Sequence, residues 1–287
     1  MSRSWIKIVK LSMILSLLSS TLIANTVDKN LVKFEKQRIK RAVARAKGTI
    51  NSIKIVLKKD LKQDGWHGYV FNLDLKVQGK QIIQKDTLFA KEDLIAPDLI
   101  STKTKRSFKD MMYPTIGDKY YSKKHLIAGN PNAKHKMVIF SDPLCPICVD
   151  EVPFIIKAII DNPKNIALYY YHLPLDMHPT ARIISKASII ARNQGIKNVD
   201  YRIYDANFPD KYKFDAYEDK DNQKILKFFN KEFGTNITMK QINNPKYEKM
   251  LKDDNKMSEA AFVSGTPSLF FDGNHDITRS KYEKFLK

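Results

Sequence analysis

The chain has 287 residues, with 50 Lys and Arg against 31 Asp and Glu and a formal net charge of +19 at pH 7. That length accommodates two domains with cores of their own. Its two cysteines are too few to staple a small disulfide scaffold. Together with six histidines that show no ligand spacing, they leave a zinc knuckle short of its four ligands.

Residues 1–24 read as a secretory signal peptide. Arg3, Lys7 and Lys10 form a positive n-region, Leu11 to Ile23 a short apolar stretch, and Ala24 a plausible last residue before cleavage. The apolar stretch is short and serine-rich for a membrane span, and no second long apolar run follows, so the mature chain is expected to be soluble. The basic balance invites a nucleic-acid reading. Export argues against it, as do basic residues scattered without a stripe of stacking aromatics. A solvated basic surface is the reading retained, with long-range attraction to anionic lipid or acidic client proteins as the alternative.

Residues 29–47 carry Leu31, Phe34, Ile39 and Val43 at helical spacing, with Gly48 as a stop. Residues 49–57 follow as a strand, and Gln63-Asp64-Gly65 as a turn. Tyr69, Phe71, Leu73, Leu75 and Val77 alternate with Val70, Asn72, Asp74 and Lys76, the pattern of a half-buried strand. Gln78-Gly79-Lys80 turns the chain into a further strand, Gln81 to Phe89. Residues 25–100 therefore read as a small α+β domain without a catalytic cluster. Residues 101–127 read as a linker in which Thr102 to Met112 has helical character.

From residue 128 onward the pattern is α/β. Met137 to Phe140 is a buried strand, a helix runs from Cys145 to about Ile160, and residues 165–171 form a second strand. This spacing predicts a parallel βαβ unit. Pro153 falls inside the helix and predicts a kink. A helical stretch occupies about 178–262, with segments Thr180 to Arg192, Tyr217 to Phe233 and Pro245 to Phe262. Ser268 to Phe271 is a strand, Asp272-Gly273-Asn274 a hairpin turn, and Ser280 to Lys287 a closing helix.

The chemistry concentrates in Cys145-Pro146-Ile147-Cys148, which holds both cysteines. Two thiols at this spacing can close and reopen a small disulfide, whereas a loop so short adds little as a structural cross-link. Cys145 would open the helix, where unpaired N–H groups and the helix dipole favour the reactive thiolate. Pro146 suits the first helical position because it has no N–H to leave unpaired. Cys148, one turn further in, can attack a mixed disulfide on Cys145 and release the client. Pro146 and Ile147 tune the redox balance, a range that spans on the order of 150 mV, or about 7 kcal/mol, across such proteins. His172 and His178 follow the second strand, and either would lower the Cys145 pKa if it approached the cysteines as a cation. Ordinary loop histidines are the favoured reading, and both are left out of the site.

Gly129-Asn130-Pro131, the segment from Phe140 to Cys148, the helical stretch after the βαβ unit and Gly265-Thr266-Pro267 occur in that order. With them, residues 128–287 resemble the periplasmic thiol:disulfide interchange proteins of the DsbC/DsbG family. The resemblance implies a thioredoxin-fold catalytic domain with a helical insertion and a cystatin-like N-terminal dimerisation domain over residues 25–100. It also implies that Cys145 is the nucleophile, Cys148 the resolving thiol and Pro267 a cis residue beside Cys145. The Thr266 backbone would pair with an extended client segment.

The partners implied are unfolded or misoxidised exported proteins, a second copy of the chain, and a membrane redox partner, either a DsbD-like reductant or a DsbB-like oxidant. No cofactor, metal or nucleic acid is called for. Pro-Ile between the cysteines departs from the Gly-Tyr of the typical isomerase toward the Pro-Tyr and Pro-His of DsbG and DsbA, whereas Thr266 points to the isomerase side. The expected activity is thiol–disulfide interchange as isomerase or reductase in the periplasm. A dithiol oxidase is the alternative, followed by a holdase chaperone and an apocytochrome c reductant.

Overall fold

The computed structural model describes residues 27–286. The signal-peptide reading of residues 1–24 lies outside them. The chain divides into two compact units between Met112 and Tyr113.

In the first unit, helix α1 (27–45) is followed by an antiparallel sheet in the order β1 (Gly48–Asp60), β2 (His67–Val77), β3 (Lys80–Lys91) and β4 (Leu94–Ala96). The alternation in β2 is a true core face. Tyr69, Phe71, Leu73 and Leu75 join Leu31 and Val43 of α1 and Leu88 and Ala90 of β3. Burying each large apolar side chain contributes roughly 1.5–3 kcal/mol. One expected core position differs, since Phe34 is exposed. Leu31, Glu35, Ile39 and Val43 lie four apart and form the inner stripe. Glu35 is tolerated there because Arg38 clamps its carboxylate at 2.8 and 2.9 Å and also reaches Asp86. The expected helical character of Thr102 to Met112 is not realised. Ser101 and Arg106 close a backbone turn with Lys105 at φ +59°, and only Phe108–Met111 winds, as a 3₁₀ turn.

The second unit is a five-stranded sheet in the order β5 (Leu126–Gly129), β7 (Ile166–His172), β6 (His135–Ser141), β8 (Ser268–Phe271) and β9 (Asn274–His275). β6 and β7 are parallel, joined by helix α2 (Pro146–Asp161), and β8 runs antiparallel on the other side of β6. Both central strands are buried on both faces, as a covered parallel pair requires. Met137, Ile139, Ile166, Leu168 and Tyr170 face α2 in one core. Val138, Phe140, Ala167, Tyr169 and Tyr171 face the opposite one. Helix α2 continues through Pro153 to Asp161, so the proline does not end it, although it withholds one ladder donor.

Between β7 and β8 lie helices α3 (Ala181–Asn193), α4 (Val199–Asp205), α5 (Phe208–Tyr212), α6 (Asn222–Phe233), α7 (Met239–Ile242) and α8 (Pro245–Ala260). They share an apolar core that includes Ile184, Ile203, Phe208, Phe229 and Leu251. The helix expected from Tyr217 begins instead at Asn222. Asp221 caps it, and Tyr217 and Glu218 are held in a turn by the Asp215 carboxylate. Asp272 and Gly273, both at positive φ, make the β8–β9 hairpin turn. The closing helix is a short 3₁₀ segment, Lys281–Phe285, entered through Arg279 at φ +55° with the Asp276 carboxylate accepting the Lys281 N–H. Among the described residues, no helix is long and apolar enough to cross a membrane.

Candidate active site

β6 ends at Ser141, and the loop Asp142–Leu144 delivers Cys145 to the N-cap of α2. Cys145 has an extended backbone there, and its carbonyl accepts the Val149 N–H at 2.9 Å. Pro146 occupies the first helical turn, where no intrahelical N–H is needed. The loop is fixed by the fully buried Asp142. Its Oδ1 accepts the Leu144 N–H at 2.7 Å, and its Oδ2 accepts the Leu175 N–H at 2.7 Å and meets His178 Nδ1 at 2.8 Å. One carboxylate thus ties the cysteine loop to the chain that leaves β7.

Cys145 and Cys148 are both free thiols and both buried, whereas Pro146 and Ile147 between them are exposed. The Cys145 sulfur lies 3.5 Å from the Thr266 carbonyl oxygen. Thr266-Pro267 is a cis peptide bond, and Pro267 is buried at the entry to β8. Cys145, Cys148, Thr266 and Pro267 therefore come together at one end of the sheet.

The electrostatics separate the two thiols. A hydrogen bond from Cys148 is the largest influence on Cys145 and, with contributions from Thr266 and the Cys148 backbone N–H, lowers the Cys145 thiol to about 5; burial and the Asp142 charge oppose it. Burial, followed by the proximity of the Cys145 sulfur, pushes the Cys148 thiol well up. One sulfur is a thiolate at neutral pH and the other keeps its proton, the division of labour expected of an attacking and a resolving thiol.

His178 belongs beside this site, although sequence reading treated it as ordinary. Its hydrogen bond to Asp142 raises its pKa, and the Cys145 charge adds to the rise. Its position just after the second strand was the signal that pointed to it. His172, by contrast, is buried at the end of β7 and held neutral, with its pKa pushed down to about 3 by burial. Among the described residues, no group of three or more His, Cys, Asp or Glu side chains could hold a metal ion.

A model of the thioredoxin family matches residues 121–287. The chain belongs to this family. The matched region carries the βαβ unit, the Cys145 helix and the Thr266-Pro267 loop. No curated protein matches the chain. Solved structures with a similar fold include a thioredoxin-like oxidoreductase from Silicibacter pomeroyi (16% identity, TM-score 0.45, 56% of this chain and 87% of that chain). BdbD from Bacillus subtilis in its oxidised form is similar at 16% identity and TM-score 0.44, over 57% of this chain and 90% of that chain. The thiol-disulfide exchange protein alpha-DsbA2 from Wolbachia pipientis is similar at 19% identity and TM-score 0.43, over 62% of this chain and 90% of that chain.

Proposed function

We propose that this protein exchanges disulfides in exported proteins, as an isomerase or reductase of the DsbC/DsbG type, with Cys145 as nucleophile and Cys148 as resolving thiol. The observation that carries this reading is the Cys145 thiol, lowered to about 5 at the N-cap of α2 and facing the Thr266 carbonyl. The Cys145 thiolate attacks one sulfur of a client disulfide. The client S–S bond breaks, a Cys145–client disulfide forms, and the second client sulfur leaves as a thiolate. In isomerisation another client thiolate attacks the mixed disulfide and returns Cys145 unchanged, with no net electron transfer. In reduction Cys148 attacks instead. Two electrons pass to the client, and a membrane dithiol reductant of the DsbD type must then reopen the Cys145–Cys148 disulfide.

Thr266 offers backbone to an extended client segment, and Pro267 shapes the floor beside the sulfur. Pro146 and Ile147 set the redox balance from their exposed positions. Export to the periplasm through the N-terminal segment and dimerisation through residues 25–100 complete the proposal.

The depressed Cys145 pKa also favours a second reading. A stabilised thiolate stabilises the reduced protein and so makes its disulfide a stronger oxidant. The chain would then donate disulfides and be reoxidised by a DsbB-like membrane partner. The resting state of Cys145 and Cys148 in the native cell, trapped by acid and read by a mass-tagging alkylating agent, separates the two. Reduced thiols support the isomerase or reductase; a closed disulfide overturns it in favour of the oxidase.

A further inference from the structure

Behind the Cys148 sulfur, a file of hydroxyl groups runs into the core. Ser141, the last residue of β6, lies beside Cys148, and its hydroxyl favours the Cys148 thiolate. Its Oγ lies 2.7 Å from the Tyr204 hydroxyl on α4, which lies 2.5 Å from the Tyr170 hydroxyl on β7. Cys148 and Ser141 are fully buried, and Tyr170 and Tyr204 are 2% exposed. Three separate elements thus place hydroxyls in sequence, in the core that also holds Cys148. Packing alone does not ask for this, because apolar side chains of similar shape fill a core without burying polar groups.

We propose that Ser141, Tyr204 and Tyr170 form a hydroxyl chain that steadies Cys148 as a thiolate while it resolves the mixed disulfide on Cys145. This deepens the exchange reading above and rests on it. Ser141, Tyr204 and Tyr170 act on the Cys148 sulfur from behind and are positioning residues.

In the resolving step the Cys148 sulfur attacks the Cys145 sulfur. The Cys145–client bond breaks, the electron pair leaves on the client sulfur, and the proton given up by Cys148 ends on that client thiolate. Before the new bond forms, an anionic sulfur sits in a dry core, and burial disfavours it strongly. Ser141 can donate to the anion, Tyr204 to Ser141, and Tyr170 to Tyr204, each bond polarising the next. The backbone N–H of Asp142 also favours the anionic sulfur. Burial holds both phenols well above their ordinary value, so they remain neutral donors and take no proton from the thiol. The other ionisable groups that bear on this line are the Cys145 sulfur on α2, the Asp142 carboxylate acting on Cys145, and Asp200 on α4 acting on Tyr170.

The test mixes the reduced full chain with oxidised glutathione, quenches in acid, and follows adducts by mass spectrometry. It reads two rates: formation of the glutathione–Cys145 disulfide, and its loss as Cys148 closes the ring. Ser141→Ala and Tyr204→Phe each delete one buried oxygen. The expected result is a first rate close to wild type and a second rate about tenfold slower, the scale of one hydrogen bond to a charged group. The pH profile of the second rate also moves upward, and Tyr170→Phe gives a smaller shift of the same sign. A purely structural role would lower the melting temperature and leave that profile in place. An unchanged second rate and profile in either folded variant overturns the proposal, and Ser141→Ala decides alone if Tyr204→Phe does not fold. If wild-type Cys145 forms no adduct at all, the exchange reading itself falls, and the hydroxyl chain with it.

Discussion

The Cys145 sulfur and the Thr266 carbonyl oxygen, 121 residues apart in sequence, stand 3.5 Å from one another. The contact joins the N-terminus of α2 to the loop that enters β8, so a client segment seated on Thr266 would present its sulfur to Cys145. With Cys148 the only other cysteine, Cys148→Ala is expected to leave the first attack intact and to block intramolecular resolution. Client proteins should then accumulate as mixed disulfides on Cys145, seen as thiol-sensitive bands on a non-reducing gel.

The thiolate has a pH signature. Cys145 is lowered from an ordinary value near 9 to about 5, so its ultraviolet thiolate absorbance should titrate with a midpoint near pH 5 and disappear in Cys145→Ala. A depressed folded value stabilises the folded reduced form fully above the unfolded value near 9, and this contribution is lost as pH falls through about 5. Denaturant unfolding should therefore show the margin of the reduced over the oxidised protein shrinking as pH is lowered from 9 to 5.

His178 is expected to contribute to that thiolate. Its imidazolium, held by Asp142, bears on Cys145, and His178→Gln should raise the Cys145 midpoint by roughly half to one pH unit. The linkage for His178 itself runs the other way. Its folded pKa is raised above 6.5, so the Asp142–His178 pair stabilises the fold fully below that value and loses its contribution as pH rises through the raised one. The thiolate titration of the variant, compared with wild type, checks the first effect.

Asp142 is expected to matter more for stability than for chemistry. It is fully buried and serves the Leu144 and Leu175 N–H groups and His178. Asp142→Ala strands those partners without solvent and should cost about 3–5 kcal/mol in equilibrium unfolding, the scale of breaking a buried charge pair from one side. A loss below about 1 kcal/mol would contradict the anchoring role given to this carboxylate.

Elements whose pattern repeats were legible in the sequence. β2 alternates inward and outward, β6 and β7 are continuous apolar runs, and the cysteine pair marks the start of α2. What escaped were short or locally overridden segments. β5 has four residues and pairs only at its edge with β7, too few to show a period. Asn198 and Asn207, both in the left-handed region, break the insertion into α4 and α5, and neither break announces itself by a proline or glycine at that position. The site divides in the same way. The cysteines are adjacent in sequence, but Asp142 meets His178 across 36 residues and Ser141 meets Tyr204 across 63. Tyr169, Tyr170 and Tyr171 alternate between the two faces of β7, within the strand expected over residues 165–171. Nothing in that alternation shows that Tyr170 turns its hydroxyl toward a helix of the insertion.

The most direct test of the account is the refolding of an exported multi-disulfide protein whose cysteines have first been paired at random. The wild-type chain, supplied with a small dithiol to keep Cys145 reduced, should restore native pairing and activity to that client, and Cys145→Ala should leave it scrambled. Recovery no faster than with the dithiol alone, or equal recovery with Cys145→Ala, would contradict the assignment of disulfide exchange to Cys145.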